Sequence, residues 1–180
     1  MKYISILRGI NVSGQKRIKM IDLKSLYKEL GFQNVLTYIQ SGNVIFDSID
    51  KNKTDLKEKI ENAIEVNYKF HVPVEIRTNR EMSKIIENCP FGSIDLVESG
   101  TKVLLSFLSS NPSKANVNDV LKHVVSPEQL VIKGKEAYLY CPNGYGKSKL
   151  SNNFLEKKLG VEATTRNWKS VHKLYELSME

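Results

Sequence analysis

Val35-Leu36-Thr37-Tyr38-Ile39-Gln40-Ser41-Gly42-Asn43-Val44-Ile45-Phe46-Asp47 contains two β-rich runs, Val35 to Gln40 and Asn43 to Asp47, separated by Ser41-Gly42. Glycine takes positive φ without a steric penalty, so this spacing predicts a β-hairpin. Upstream, Tyr3 to Ile10 predicts a buried strand, and Leu23, Leu26, Tyr27 and Leu30 recur at helical spacing before Gly31 supplies a stop. Downstream, Leu56, Ile60, Ala63, Ile64 and Tyr68 mark an amphipathic helix, and Val72 to Ile76 a strand that tolerates Pro73 near its start. The order around the hairpin is β-α-β-β-α-β.

The remainder predicts the same order again. Thr78 with Glu81 three residues on forms a capping box that opens a short helix through Met82, Ile85 and Ile86, closed by Cys89-Pro90. Pro90 to Gly100 reads as a connecting loop. Val103 to Leu108 is apolar on both faces, the pattern of a strand covered on both sides. Val117, Val120, Leu121 and Val124 give a helix face, and Leu130 to Ile132 with Ala137 to Tyr140 a hairpin around Lys133-Gly134-Lys135. Leu150, Phe154, Leu155 and Leu159 form a helix ending at Gly160, followed by a short strand from Glu162 to Thr165 and a terminal helix from Trp168 to Leu177.

Two successive β-α-β-β-α-β units are the split βαβ arrangement used twice. The expected fold is therefore α+β: two tandem ferredoxin-like units packed into one compact domain, plus a C-terminal helix. Residues 1–78 form the first unit, 79–101 a helix and connecting loop, and 102–180 the second unit with the terminal helix. No residue-level repeat is visible, so the duplication is one of element order.

The 180 residues are 41% hydrophobic and 26% charged, enough apolar content for a packed core and unlike a disordered or fibrous chain. Arg8 interrupts the amino-terminal apolar run too early for a signal segment, and no run approaches a membrane span, so a cytoplasmic protein without membrane association is expected. Cys89 and Cys141 are far apart, each followed by proline, and are expected to be reduced and structural.

The formal charge of +7 favours acidic partners. It is spread along the chain: residues 1–90 carry 15 basic and 11 acidic side chains, and residues 91–180 carry 12 and 9. Local clusters therefore say more than the total. Lys16, Arg17 and Lys19 form one, and Lys147, Lys149, Lys157, Lys158, Arg166, Lys169 and Lys173 thicken the last third.

In a split βαβ unit the first and second strands run the same way with the third between them, antiparallel. The end of the first strand and the hairpin then share an edge, which brings Arg8 to Gly14 toward Gln40 to Asn43. In the second unit the same logic brings Asn143 to Lys149 toward Thr165 to Trp168 at the opposite edge. Arg8, Asn11, Ser41 and Asn43 are the candidate ligand contacts of one cluster, and Lys147, Ser148, Arg166 and Asn167 those of the other.

Cys141 to Ser148 is one residue from the phosphate-loop pattern G-x-x-x-x-G-K-[ST], with Cys141 in place of its first glycine. The strand before it belongs to a hairpin, and no aspartate follows Asp119 to hold magnesium. These departures argue against a nucleoside triphosphatase. They leave a milder alternative, an anion held by backbone amides with Lys147 and Ser148, beside a purely structural one in which Ser148 caps a helix. Trp168 fits a core position better than a stacking one.

His71, His123 and His172 are scattered, without metal-ligand spacing, and no nucleophile-base pair is apparent, so no catalytic residue, metal or cofactor is assigned. Tyr3 and Phe46 occupy strands that carry base-stacking aromatics in RNA-recognition motifs, but the accompanying signature is absent and both suit a core.

Leu7 to Gly14, Thr37 to Val44, Gly144 to Leu150 and Ala163 to Trp168 together resemble a bacterial family of unknown function, whose members read LRGINVGG, TYIQSGNVVF, G-x-G-[RK]-SKL and TARNW in that order. Ser13 departs from the family's second glycine and Thr165 from its alanine. The resemblance spans nearly the whole chain and implies a small cytosolic protein of duplicated α+β architecture, with no activity attached. The expectation is a protein that binds a phosphorylated or other anionic small ligand, nucleotide-like by preference. A transferase acting on such a ligand and a non-specific nucleic-acid-binding protein are the alternatives.

Overall fold

The computed structural model describes residues 1–92, 94 and 100–180. Two compact units make up the chain: Met1–Ser83 together with Leu174–Glu180, and Lys84–Lys173. The connecting loop expected over Pro90 to Gly100 lies largely outside the described residues.

In the first unit, β1 (Lys2–Leu7), α1 (Met20–Glu29), β2 (Gln33–Tyr38), β3 (Asn43–Asp47), α2 (Lys53–Tyr68) and β4 (Val74–Thr78) follow in the expected order. The sheet order is β2-β3-β1-β4, with every neighbour antiparallel. Tyr3, Leu7, Val44, Phe46, Val74 and Ile76 belong to one core with Leu23, Leu26 and Tyr27 of α1 and Leu56, Ile60 and Ile64 of α2. Tyr3 and Phe46 stack within it, with ring centroids 5.7 Å apart.

The helix α3 (Asn79–Glu87) follows β4 directly. The capping box is present: the Glu81 amide donates to Thr78 Oγ1 at 3.2 Å, and the Thr78 amide donates to Glu81 Oε2 at 2.8 Å.

The second unit repeats the plan with β5 (Val103–Leu108), α4 (Lys114–Leu121), β6 (Gln129–Lys133), β7 (Glu136–Tyr140), α5 (Asn152–Leu159) and β8 (Ala163–Asn167), and the helix α6 (Trp168–Met179) follows. Its sheet order, β6-β7-β5-β8, is that of the first sheet. All six residues of β5 are buried, as its two apolar faces require. On the face away from α4 and α5, the Tyr138 hydroxyl donates to the Ile85 carbonyl of α3 at 3.0 Å.

The strand registers reveal a correspondence that the sequence hides. Ser5 pairs with Ile76 in the first sheet, and Ser106 pairs with Thr165 in the second. Each is a fully buried polar residue in the middle of a central strand, and each is satisfied locally. Ser5 shares a 2.8 Å hydrogen bond with the Tyr27 hydroxyl, and Ser106 a 2.6 Å bond with the Thr165 hydroxyl. One pair along, Ile4 faces Arg77 and Leu105 faces Arg166, so the two buried arginines hold equivalent places.

Candidate ligand-binding site

The two loops expected to converge in the first unit do so. The Leu7 amide donates to the Gly42 carbonyl at 2.8 Å, extending β1 onto the β2–β3 turn. That turn is longer than Ser41-Gly42: β2 ends at Tyr38, and Ile39, Gln40, Ser41 and Gly42 all lie outside the strands. Ile39 and Gly42 both have positive φ, +50° and +80°, and a Cβ on Gly42 would stand 2.5 Å from Ile10 Cδ1. The absent side chain is what lets Ile10 pack against the turn.

The segment after β1 folds into a miniature hairpin. Val12 bridges Gln15, and the Gln15 amide donates to the Val12 carbonyl at 2.9 Å. Ser13 and Gly14, the two residues between them, have φ of +50° and +76°, the signature of a turn whose twist matches paired strands. A serine at the first of these positions meets a conformation that glycine adopts freely. Asn11 clips the segment down: Nδ2 donates to the Ile18 and Gln40 carbonyls, each at 2.9 Å, and Oδ1 accepts from the Ile18 amide. Lys16 Nζ donates to the His71 carbonyl at 2.7 Å.

Beside this segment lies an open hollow of about 560 Å³, lined in part by Asn11, Arg17, Lys19, Asp22, Gln40 and Tyr68. The size falls within the usual range for small-molecule sites. Arg17 and Lys19 are exposed. Arg17 Nε donates to the Gly14 carbonyl at 3.1 Å, and among the described residues neither cation has a carboxylate partner. Lys19 also stands at the N-cap of α1 and makes no side-chain cap, leaving the first-turn amides without that partner. Burial, and behind it the negative charges of Asp22 and Glu29, push the Tyr68 phenol above its ordinary value, so the ring is neutral near pH 7.

The eight residues singled out in the sequence therefore take different parts. Asn11 lines the hollow while its amide holds the backbone. Arg8 is half-buried beyond β1, and its amide donates to the Pro73 carbonyl at 2.9 Å. Asn43 is buried and holds the turn, Nδ2 donating to the Tyr38 carbonyl at 3.0 Å and to Ser41 Oγ at 3.1 Å.

In the second unit, Lys147 closes a 3₁₀ turn, Tyr145–Lys147, with its side chain exposed. The amides of Gly144, Lys147 and Ser148 donate to the carbonyls of Cys141, Gly144 and Tyr145, so these three donors are spent within the loop. Ser148 does not cap the following helix. Its Oγ accepts from the Leu150 amide at 3.0 Å, and Ser151 caps α5. Burial pushes the Cys141 thiol up, against the pull of a hydrogen bond with Ser148.

Tyr145 reaches Thr165, with 3.5 Å between the hydroxyls, so the expected meeting of loop and strand occurs. Successive strand residues face opposite ways, and Arg166 thus lies on the other face of the sheet from that contact. Its guanidinium is buried, which pulls it down to about 10, and Nη1 donates to the Thr165 carbonyl at 3.0 Å. Asn167 Oδ1 accepts from the Ser170 amide at 2.8 Å and so caps α6. Trp168 is 1% exposed, with its ring against Tyr138 and His172. It belongs to the core.

Sequence reasoning placed Arg17 and Lys19 in a basic cluster but did not assign them to a site. It read Tyr68 as a helix-face residue and passed over Asp22 and Gln40 as ligand contacts. The available signal was the Lys16-Arg17-x-Lys19 run between the first strand and the first helix, read together with the hairpin that shares its edge.

The chain belongs to the family described as protein of unknown function DUF1697, whose model matches residues 1–138. Among solved structures it is similar to the conserved bacterial protein SP0830 from Streptococcus pneumoniae, at 27% sequence identity and a TM-score of 0.72, with 98% of each chain covered. No curated protein matches it.

Proposed function

We propose that the first unit binds a phosphorylated or otherwise anionic small ligand, nucleotide-like in size, in the hollow beside the loop that follows β1. The observation that carries this reading is the pairing of two exposed cations, Arg17 and Lys19, in one concavity with the amide of Gln40. Guanidinium and ammonium groups supply charge-assisted hydrogen bonds to phosphate, and the exposed Gln40 carboxamide adds an orienting donor. The Asn11 clip holds the backbone in place before a ligand arrives, which lowers the ordering cost of binding.

A thermal-shift panel of nucleotides, sugar phosphates and inorganic phosphate tests the reading. At least one phosphorylated compound should raise the unfolding midpoint of the intact protein, and Arg17→Ala with Lys19→Ala should remove the response. Lys147→Ala should leave it intact. A flat panel, or a response that survives the double substitution, overturns the proposal. Turnover of a bound compound would mark the hollow as the site of a transferase. Steeply salt-dependent binding of DNA and RNA in place of small ligands would favour nucleic acid.

A further inference from the structure

Asp22 gives the hollow a charge balance of its own. It stands two residues into α1 from Met20, is exposed, and lines the same concavity as Arg17 and Lys19. A ligand seated in the hollow lies against walls that carry all three charges, at contact separations inside the Debye length of about 8 Å at physiological salt. Two cations against one carboxylate leave a net +1. A phosphate monoester dianion is well matched to Arg17 and Lys19. Each further phosphate brings more negative charge into a space that already contains Asp22.

The opposite requirement comes from what the remaining wall offers. A carboxylate accepts hydrogen bonds and donates none, so Asp22 favours hydroxyl or amine donors on a ligand. Ile18 and Met20 are apolar, and Tyr68 brings a neutral aromatic ring that is stacked on Phe70 with centroids 6.0 Å apart. A bare phosphate ion would fill only a small part of the volume.

Resting on the anion-binding reading above, we infer that the hollow selects a nucleoside monophosphate: one phosphate on Arg17 and Lys19, ribose hydroxyls donating to Asp22, and the base against Tyr68. Asp22 is the residue that sets this selectivity, by attracting hydroxyl donors and repelling a polyphosphate tail. Tyr68 separates a nucleotide from a sugar phosphate.

Equilibrium titration of the full chain with AMP, ATP and ribose 5-phosphate at fixed ionic strength tests this. The wild type should bind AMP at least about tenfold more tightly than either of the others. Asp22→Asn should narrow the AMP-over-ATP ratio at least about fivefold, chiefly by strengthening ATP. Tyr68→Leu should weaken AMP at least about fivefold, the scale of a lost base–aromatic stack, and leave ribose 5-phosphate within about twofold. Tyr68→Phe, which keeps the ring, should retain AMP affinity, and unfolding midpoints of all variants identify any that fail to fold. If ATP binds as well as AMP, or Asp22→Asn leaves the ratio unchanged, the selectivity inference fails while anion binding stands. If ribose 5-phosphate binds as well as AMP, the role of Tyr68 fails. If none of the three binds, the nucleotide inference fails, and the anion-binding reading fails with it only where the wider panel of phosphorylated compounds is flat as well.

Discussion

The side chain of Asn11 pairs with both backbone polar groups of Ile18: Oδ1 accepts from the Ile18 amide and Nδ2 donates to the Ile18 carbonyl, each at 2.9 Å. A carboxamide carries its donor and its acceptor on separate atoms, so it can reach both groups at once. The same Nδ2 also reaches the Gln40 carbonyl, so one residue ties the loop after β1 to the β2–β3 turn. Asn11→Ala removes all three bonds, and at roughly 1 kcal/mol each, discounted for partial exposure, it should cost about 2 kcal/mol. Asn11→Asp loses the donor while retaining an acceptor, and should cost about as much. Urea denaturation measures the loss, and amide exchange should show Ile18 opening faster in both variants.

Gly42 is the position where the turn tolerates no side chain. Its φ is +80°, and an added Cβ would lie 2.5 Å from Ile10 Cδ1 and 3.0 Å from Leu7 Cβ, both fully or nearly fully buried. Gly42→Ala therefore combines backbone strain with overpacking, at about 3 kcal/mol. Gly146 makes the control: a Cβ there meets nothing within 4 Å and its φ is not positive. Gly146→Ala should leave the urea midpoint unchanged or raise it slightly, and equal destabilisation by the two would contradict this account of Gly42.

Much of this architecture was legible because its signals are local. The hairpin, the helical spacing of Leu23, Leu26 and Tyr27, and the Thr78–Glu81 capping box each announce an element within a few residues, and the split βαβ topology follows from their order. What escaped was set by pairing across the sheet. Nothing next to Ser5 or Ser106 in sequence says that both are buried polar residues at equivalent places; the registers say it. Arg166 looked like a loop residue because it precedes Asn167-Trp168, yet β8 runs on to Asn167 and directs it to the sheet face away from Tyr145. Asp22 and Tyr68 come together through the packing of α1 and α2, which no motif encodes.

Glu81 should contribute an acid-sensitive share of the first unit's stability. Partial burial works upward on its carboxyl, but the hydrogen bond from Lys53 and the Thr78 amide outweigh this and hold it below the ordinary value of 4.5. A carboxyl lowered in the folded state stabilises above its unfolded pKa, and that contribution is lost as pH falls through the folded value. The unfolding midpoint should thus begin to drop as pH goes below about 4.5, and Glu81→Gln should flatten this limb of the profile. The side chain is 38% exposed, so solvent screening keeps the effect small. A variant whose midpoint falls as steeply as the wild type between pH 5 and pH 3 would remove Glu81 from the account.

The two equivalent arginines differ in what stands two residues before them. Arg77 follows Glu75, whose Oε2 accepts from Arg77 Nη1 at 3.2 Å while its Oε1 accepts from Lys57 Nζ at 3.3 Å. Arg166 follows Thr164, a neutral residue. In the first unit both charged side chains are buried, 6% and 9% exposed. Removing one member leaves the other's charge in a poorly solvated place, so Glu75→Gln should destabilise by about 3 kcal/mol. Replacing both, Glu75→Leu with Arg77→Met, removes the two desolvation penalties together and should cost clearly less than the single change. A double-mutant cycle in urea decides it: if the double variant is as unstable as the sum of the singles, the pair is not coupled and the buried charges are held by other groups.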